Sequence, residues 1–155
     1  LKGFSFDHQD FVWVDWAEVS SEDSFQRHTD IYERLLMPQV LPVVESGVIR
    51  GHGDYRVLPA VGKPASLTLK RGKLRGAEML RLARDGVALV LGAQSLGVNL
   101  RRLMLSDCHV DSQGRLWLAR APQAELGADT EVAWAACLDW LGIEFYLEEE
   151  RNQLP

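Results

Sequence analysis

The stretch FVWVDWA, residues 11–17, restricts the possible folds more than any other part of the chain. As a strand it puts Phe11 and Trp13 on one face and Val12, Val14 and Trp16 on the other, because successive strand side chains point to opposite sides. Both faces are then apolar, so the strand needs cover on both sides and a central place in a sheet. That demands a sizeable core, which 155 residues at 46% apolar composition can supply in a single domain, 1–155, without repeats or low-complexity tracts. No apolar run approaches the ~20 residues of a membrane span, and no leader pattern opens the sequence. Two cysteines, Cys108 and Cys137, are too few for a disulfide framework and too far apart for a zinc ribbon, so a reducing cytosol is expected.

Ser20 or Ser21 followed by Glu22 and Asp23 is a helix-opening pattern, an N-cap with acids in the first turn. Phe25, Tyr32, Leu35 and Leu36 fall near one stripe, predicting a helix over about 21–37 that Pro38 stops. MPQVLPVVESGVI reads as an extended connector, and Gly51 and Gly53 in RGHGD mark a turn before a strand, YRVL. SLTLKR, residues 66–71, alternates Leu67 and Leu69 against Ser66, Thr68 and Lys70, which predicts a half-exposed strand with Lys70 and Arg71 at its end. GAEMLRLARDG predicts a short amphipathic helix, about 76–85, with Gly86 as its stop. Strands VALVL, LRRLML and RLWLA follow, the last two joined by a turn at Asp111-Ser112-Gln113-Gly114. TEVAWAACLDWLGIEFYLEEE is ambiguous. Period two places Val132, Trp134, Ala136, Leu138 and Trp140 on one face, whereas a helix capped by Asp129 or Thr130 and stopped by Gly142 accounts equally well for residues 130–141.

Gly62-Lys63 has the look of a phosphate-loop ending, but Pro64 lacks the N–H and hydroxyl such a loop needs, and Val57 stands where its first glycine belongs. In SDCHVDS, the residues Asp107, Cys108, His109 and Asp111 have the chemistry of a metal or catalytic cluster, yet all fall in one expected hairpin connection. His52 with Asp54, and His28 with Asp30, are neighbour pairs without a positioned nucleophile. No catalytic residue, metal ligand or cofactor is assigned, and no enzyme is expected. A hydrolase or effector using Asp107, Cys108 and His109 is the alternative.

The net charge of −5 hides a segregation. Lys63, Lys70, Arg71, Lys73, Arg75, Arg81 and Arg84 share their stretch with a single acid, Glu78, whereas Asp129, Glu131, Asp139, Glu144, Glu148, Glu149 and Glu150 share theirs with no cation. Such runs are either solvated faces or complementary surfaces. The basic stretch has no interleaved aromatics for stacking on bases, so a nucleic-acid-binding or adaptor module is a further alternative only.

The residues Leu58-Pro59, Gly62 and Leu67-Thr68-Leu69-Lys70-Arg71-Gly72 within 55–72, followed by a helix, resemble the tail tube family of contractile phages and extracellular injection systems. FVWVDWAEVS, LRRLMLSDCHVDSQGRLWLARAP and EVAWAACLDWLGIEF are similar to the family's opening strand, hairpin and closing strands, while the segment between Ser20 and Met37 is extra. The resemblance implies twisted antiparallel sheets closing toward a small barrel or sandwich, with helix 76–85 packed outside and the extra helix near 21–37. It implies a structural subunit, tube body, initiator, cap or adaptor, that assembles with itself into hexameric rings. Neighbouring tube, sheath and baseplate proteins would be its partners, and nucleic acid only a lumen cargo; it would be cytoplasmic before joining a phage-tail-like particle. Lys70 and Arg71 are its implied interface residues, with Lys63 in the turn before them, and the charge segregation adds Lys73, Arg75, Glu144, Glu148, Glu149 and Glu150 to the expected interface. From the residues alone, the expectation is a β-rich α+β domain.

Overall fold

A computed structural model describes residues 2–5, 10–17, 29–49, 53–70 and 76–143. Strands β1 (Lys2–Ser5), β2 (Asp10–Ala17), β3 (Glu45–Ile49) and β4 (Gly53–Pro59) form an antiparallel sheet in the order β1-β2-β4-β3. The expected central strand is therefore central, paired with β1 on one side and β4 on the other, and Val12 within it is buried. Residues 29–34 are helical (α1) and place Ile31, Tyr32 and Leu35 in the core. The predicted helix over 21–37 is shorter at its end than expected, because residues 37–39 already turn; residues 21–28 lie outside the described residues. The extended connector ends in β3, and the turn at 50–52 also lies outside them.

The second half is mainly helical. Short strand β5 (Lys63–Pro64) leads into α2 (Ala65–Lys70), and α3 spans Gly76–Ser95. After it come β6 (Val98–Leu100), a 3-10 turn (Leu105–Asp107), the hairpin β7 (Cys108–Val110) and β8 (Leu116–Leu118), then β9 (Ala124–Leu126) and α4 (Thr130–Ile143). Small antiparallel sheets β5-β7-β8 and β6-β9 complete the α+β architecture, and no closed barrel is found among the described residues.

Several expectations need correction. SLTLK is helix α2, not a strand: Thr68 Oγ donates to the Pro64 carbonyl, Ala65 is fully buried, and Leu67, expected to face inward, is exposed. Lys70 therefore ends a helix. A six-residue alternation is too short to tell the two periods apart. VALVL is no strand either, since α3 runs through Gly86 to Ser95, and Gly97 just beyond it has a φ of 76° that suits a left-handed C-terminal cap. Gly86 is a notch rather than a stop, because a Cβ there would overlap the indole of Trp140. LRRLML contains the end of β6 and a loop; the hairpin partner of β8 is Cys108–Val110. The ambiguous segment is helix α4, whose buried Ala133, Ala136, Cys137 and Trp140 recur at helical spacing while Trp134 and Leu138 are exposed. Asp129 caps it, its carboxylate accepting from the N–H groups of Glu131 (2.8 Å) and Val132 (3.3 Å). Gly142 lies within the helix.

One main core joins α1, α3, α4 and strands β6 to β8, with Leu82, Leu89, Leu116, Leu118 and Trp140 among its most deeply buried members. Each contributes about 1.5–3 kcal/mol by leaving water. The connector after α1 locks the halves together: Leu118 N–H donates to the Gln39 carbonyl and Leu41 N–H to that of Leu118.

Candidate functional site

Where the four-stranded sheet meets the helical half, Leu41, Leu58 and Ala119 form a second buried cluster, with Trp13, Val43, Val61 and Trp117 packed against it. Trp13 comes from β2, Leu58 from β4, and Val61 from the link that carries the chain into the helical half. Gly62 makes that link possible: its φ is 66°, and a Cβ would strike the Val110 backbone of β7. His109, on β7, closes the joint from below. Its Nδ1 lies 3.1 Å from the Val61 carbonyl, so Nδ1 carries the proton, and its ring meets Trp13 edge to face with centroids 5.0 Å apart. The joint is filled by side chains.

Beside it, the loop from Leu100 to Asp107 faces the segment after β8. The Asp107 carboxylate is 5% exposed and accepts from Arg120 Nε at 3.0 Å, while the Asp107 carbonyl accepts the N–H groups of Ala119 and Arg120. Ala121 N–H donates to the Tyr32 hydroxyl at 2.7 Å, tying this segment to α1. The Arg56 guanidinium lies 4.7 Å over the Tyr32 ring and 3.4 Å from Asp54, a buried carboxylate whose Oδ1 has no hydrogen-bond partner among the described residues. Arg101 pairs with Glu125 at 2.8 Å and Arg102, more loosely, with Asp139 at 3.7 Å.

The cluster read from SDCHVDS is dispersed by the hairpin. Cys108 points into the main core, His109 into the joint, Asp107 to Arg120, and Asp111 into its own turn. Burial pushes the Asp111 carboxyl up, but the N–H groups of Arg115 and Gln113 and the Trp117 indole outweigh it and hold it below the ordinary carboxylate value. Among the described residues no group of His, Cys, Asp and Glu side chains is arranged to hold a metal ion. Of the charged residues singled out in the sequence, Lys63 is exposed on β5, Arg81 donates to the Gln113 carbonyl, and Arg84 pairs with Asp85. Arg71, Lys73, Arg75, Glu144, Glu148, Glu149 and Glu150, with His28 and His52, lie outside the described residues. Sequence reasoning passed over Trp13, Arg101, Arg102 and Arg120. The signal available was two adjacent arginines in the loop before the hairpin and a third just after it.

A half-open cavity of about 630 Å³ opens between α1 and the edge of the sheet, lined by Leu36, Met37, Val43, Ser46, Arg56 and Trp117 among others. No helix among the described residues is long and apolar enough to cross a membrane. No family model matches the chain, and no curated protein is significantly similar to it.

Proposed function

We propose that the chain is a protein-kinase-like domain that has given up phosphoryl transfer and serves as a binding module. Protein kinases carry a lysine on a sheet strand ahead of a helix, then a loop H-R-D-L-x-x-x-N, then D-F-G; the Asn and the D-F-G Asp hold two magnesium ions, and the H-R-D Asp takes the substrate proton. The order of elements from β2 onward supports the comparison: strand β2, helix α1, strands β3 and β4, the short β5 and α2, the long helix α3, strand β6, the loop and the hairpin. The loop reads Leu100-Arg101-Arg102-Leu103-Met104-Leu105-Ser106-Asp107, keeping the arginine, the leucine and an oxygen ligand in the last place. It puts Leu100 for the histidine and Arg102 for the base. The segment after the hairpin has Arg120-Ala121-Pro122 for D-F-G, and β2, DFVWVDWA, contains no lysine.

The observation that carries the proposal is the Asp107–Arg120 ion pair. The two positions that would share metal ions are an acid and a base in direct contact, so a fixed guanidinium neutralises Asp107 and repels a divalent cation. Trp13 and His109 fill the joint where a nucleotide base would lie. The tail-tube expectation included a strand over 66–71, of which residues 66–70 belong to helix α2.

Nucleotide binding and transfer of labelled phosphate from ATP, each with magnesium, test the proposal. The wild-type chain is expected to do neither, and Trp13→Ala with Arg120→Asp, which empties the joint and restores an acid pair, is expected to gain magnesium-dependent ATP binding. Phosphate transfer by the wild type, or no gain in a variant that stays folded, would sink it.

A further inference from the structure

The cavity between α1 and the sheet has a cation built into an apolar wall. Its volume of about 630 Å³ lies within the ~300–1,000 Å³ of small-molecule sites, which are mostly apolar with a few placed polar groups. Leu36, Met37 and Val43 supply apolar wall, and Arg56 lines it with them. Arg56 is only 8% exposed, whereas Leu36 and Glu33 are exposed at the mouth. Tyr32 and Asp54 orient the guanidinium. It lies 4.7 Å over the Tyr32 ring, and its Nη2 reaches Asp54 Oδ2 at 3.4 Å. Stacking on the ring fixes the plane of the fork, while a charge-assisted hydrogen bond at full strength would be shorter, about 2.7–2.9 Å. Asp54 therefore offsets the charge without gripping it. Leu41, Val43 and Trp117 line the cavity and also belong to the joint around Trp13, so one wall serves both.

We propose that this cavity binds a small apolar carboxylic acid in its ionised form, with the carboxylate on Arg56 and the apolar body against Leu36, Met37 and Val43. A planar carboxylate matches the geometry of a guanidinium fork. A single charge also suits the surroundings, because Asp54 beside the arginine and Glu33 at the mouth would repel a dianion such as a phosphate ester. Glu33 likewise disfavours an anion left at the entrance, so the charged end points inward. Because Trp117 is shared with the joint, an occupied cavity would tighten the contact between the sheet and the helical half. The proposal does not rest on the kinase comparison, and the outcome of the ATP experiments leaves it untouched.

Calorimetric titration of the full chain with decanoate, decan-1-ol and decylamine, each below its micelle concentration, tests it. Decanoate is expected to bind saturably, to raise the unfolding temperature and to change the tryptophan fluorescence. Decan-1-ol should bind more weakly by about tenfold or more, since it lacks the charged acceptor, and decylamine more weakly still. Asp54→Asn with Arg56→Met removes both buried charges together, which avoids an unpaired carboxylate, and should bring decanoate down to the level of the alcohol. Asp54→Asn alone removes the competing carboxylate and should bind decanoate at least as tightly as the wild type. Trp117→Phe should lose most of the fluorescence change and keep the calorimetric signal. A wild-type chain that takes up no decanoate saturably overturns the proposal. So does decylamine binding as tightly as decanoate, or a folded double variant that keeps the wild-type affinity.

Discussion

Asp111 holds the β7–β8 turn together with one side chain. Its Oδ1 accepts from the N–H groups of Gln113 (2.8 Å) and Arg115 (3.0 Å), and its Oδ2 accepts the Trp117 indole N–H at 2.9 Å. A charged acceptor suits three donors, which is why the carboxyl stays ionised below the ordinary value of 3.8. A lowered folded-state value gives stability that is complete above the unfolded value and is lost as pH falls through the folded one. Asp111→Asn would turn an N–H donor toward one of these donors, at a cost of roughly 1–2 kcal/mol near neutral pH. Denaturant titrations at several pH values should show that difference shrinking below about pH 4; a difference that does not change with pH would mean the carboxylate charge contributes nothing to the turn. The Asp54–Arg56 pair has a different character: Oδ2 meets the guanidinium at 3.4 Å, while Oδ1 has no hydrogen-bond partner among the described residues, so the desolvation of this buried acid is less fully offset.

At the scale of elements, glycine positions separate packing from punctuation. Gly86 and Gly142 both look like helix stops in the sequence, and both lie inside helices. Gly86 is pressed by Trp140, which is fully buried and donates its indole N–H to the Ala83 carbonyl at 3.2 Å, so it cannot retreat. A Cβ on Gly142 would meet no atom of the described residues within 4 Å. Gly86→Ala should therefore destabilise by roughly 1–3 kcal/mol through overpacking, more than the ~1 kcal/mol that alanine's helix propensity returns. Gly142→Ala should be neutral or stabilising by up to about 1 kcal/mol. Thermal or urea unfolding of the two variants decides it, and equal effects would remove the case for a Trp140 notch between α3 and α4.

For the whole molecule, the distribution of the core determines how it comes apart. The main cluster unites α1 with the helical half, whereas the four-stranded sheet rests on the small joint of Leu41, Leu58, Ala119 and Trp13. Trp13→Ala removes one of the two tryptophans there and should cost roughly 2–4 kcal/mol, toward the low end for a tryptophan because the ring is only partly buried. It should also uncouple the halves: unfolding followed by tryptophan fluorescence and by far-ultraviolet dichroism should coincide in the wild type and separate in the variant. Coincident transitions in both would mean that α1 and the Gln39–Leu118 contacts alone hold the sheet in place.

The sequence by itself determined what depends on local pattern: the central position of FVWVDWA, the strand YRVL, the existence of an amphipathic helix beginning near Gly76 and the Asp111 turn. Each rests on a two- or four-residue rule that operates before the chain is compact. Tertiary structure alone decided whether SLTLK alternates or coils, because burial of Ala65 outweighed an inward Leu67. It decided that VALVL continues α3, because Trp140 fills the space over Gly86. It also split Asp107, Cys108, His109 and Asp111 among the Arg120 pair, the main core, the Trp13 joint and the turn, since neighbours on a strand point to opposite faces. Asp107 and Arg120 are 13 residues apart, and only the hairpin between them brings the carboxylate and the guanidinium within 3.0 Å.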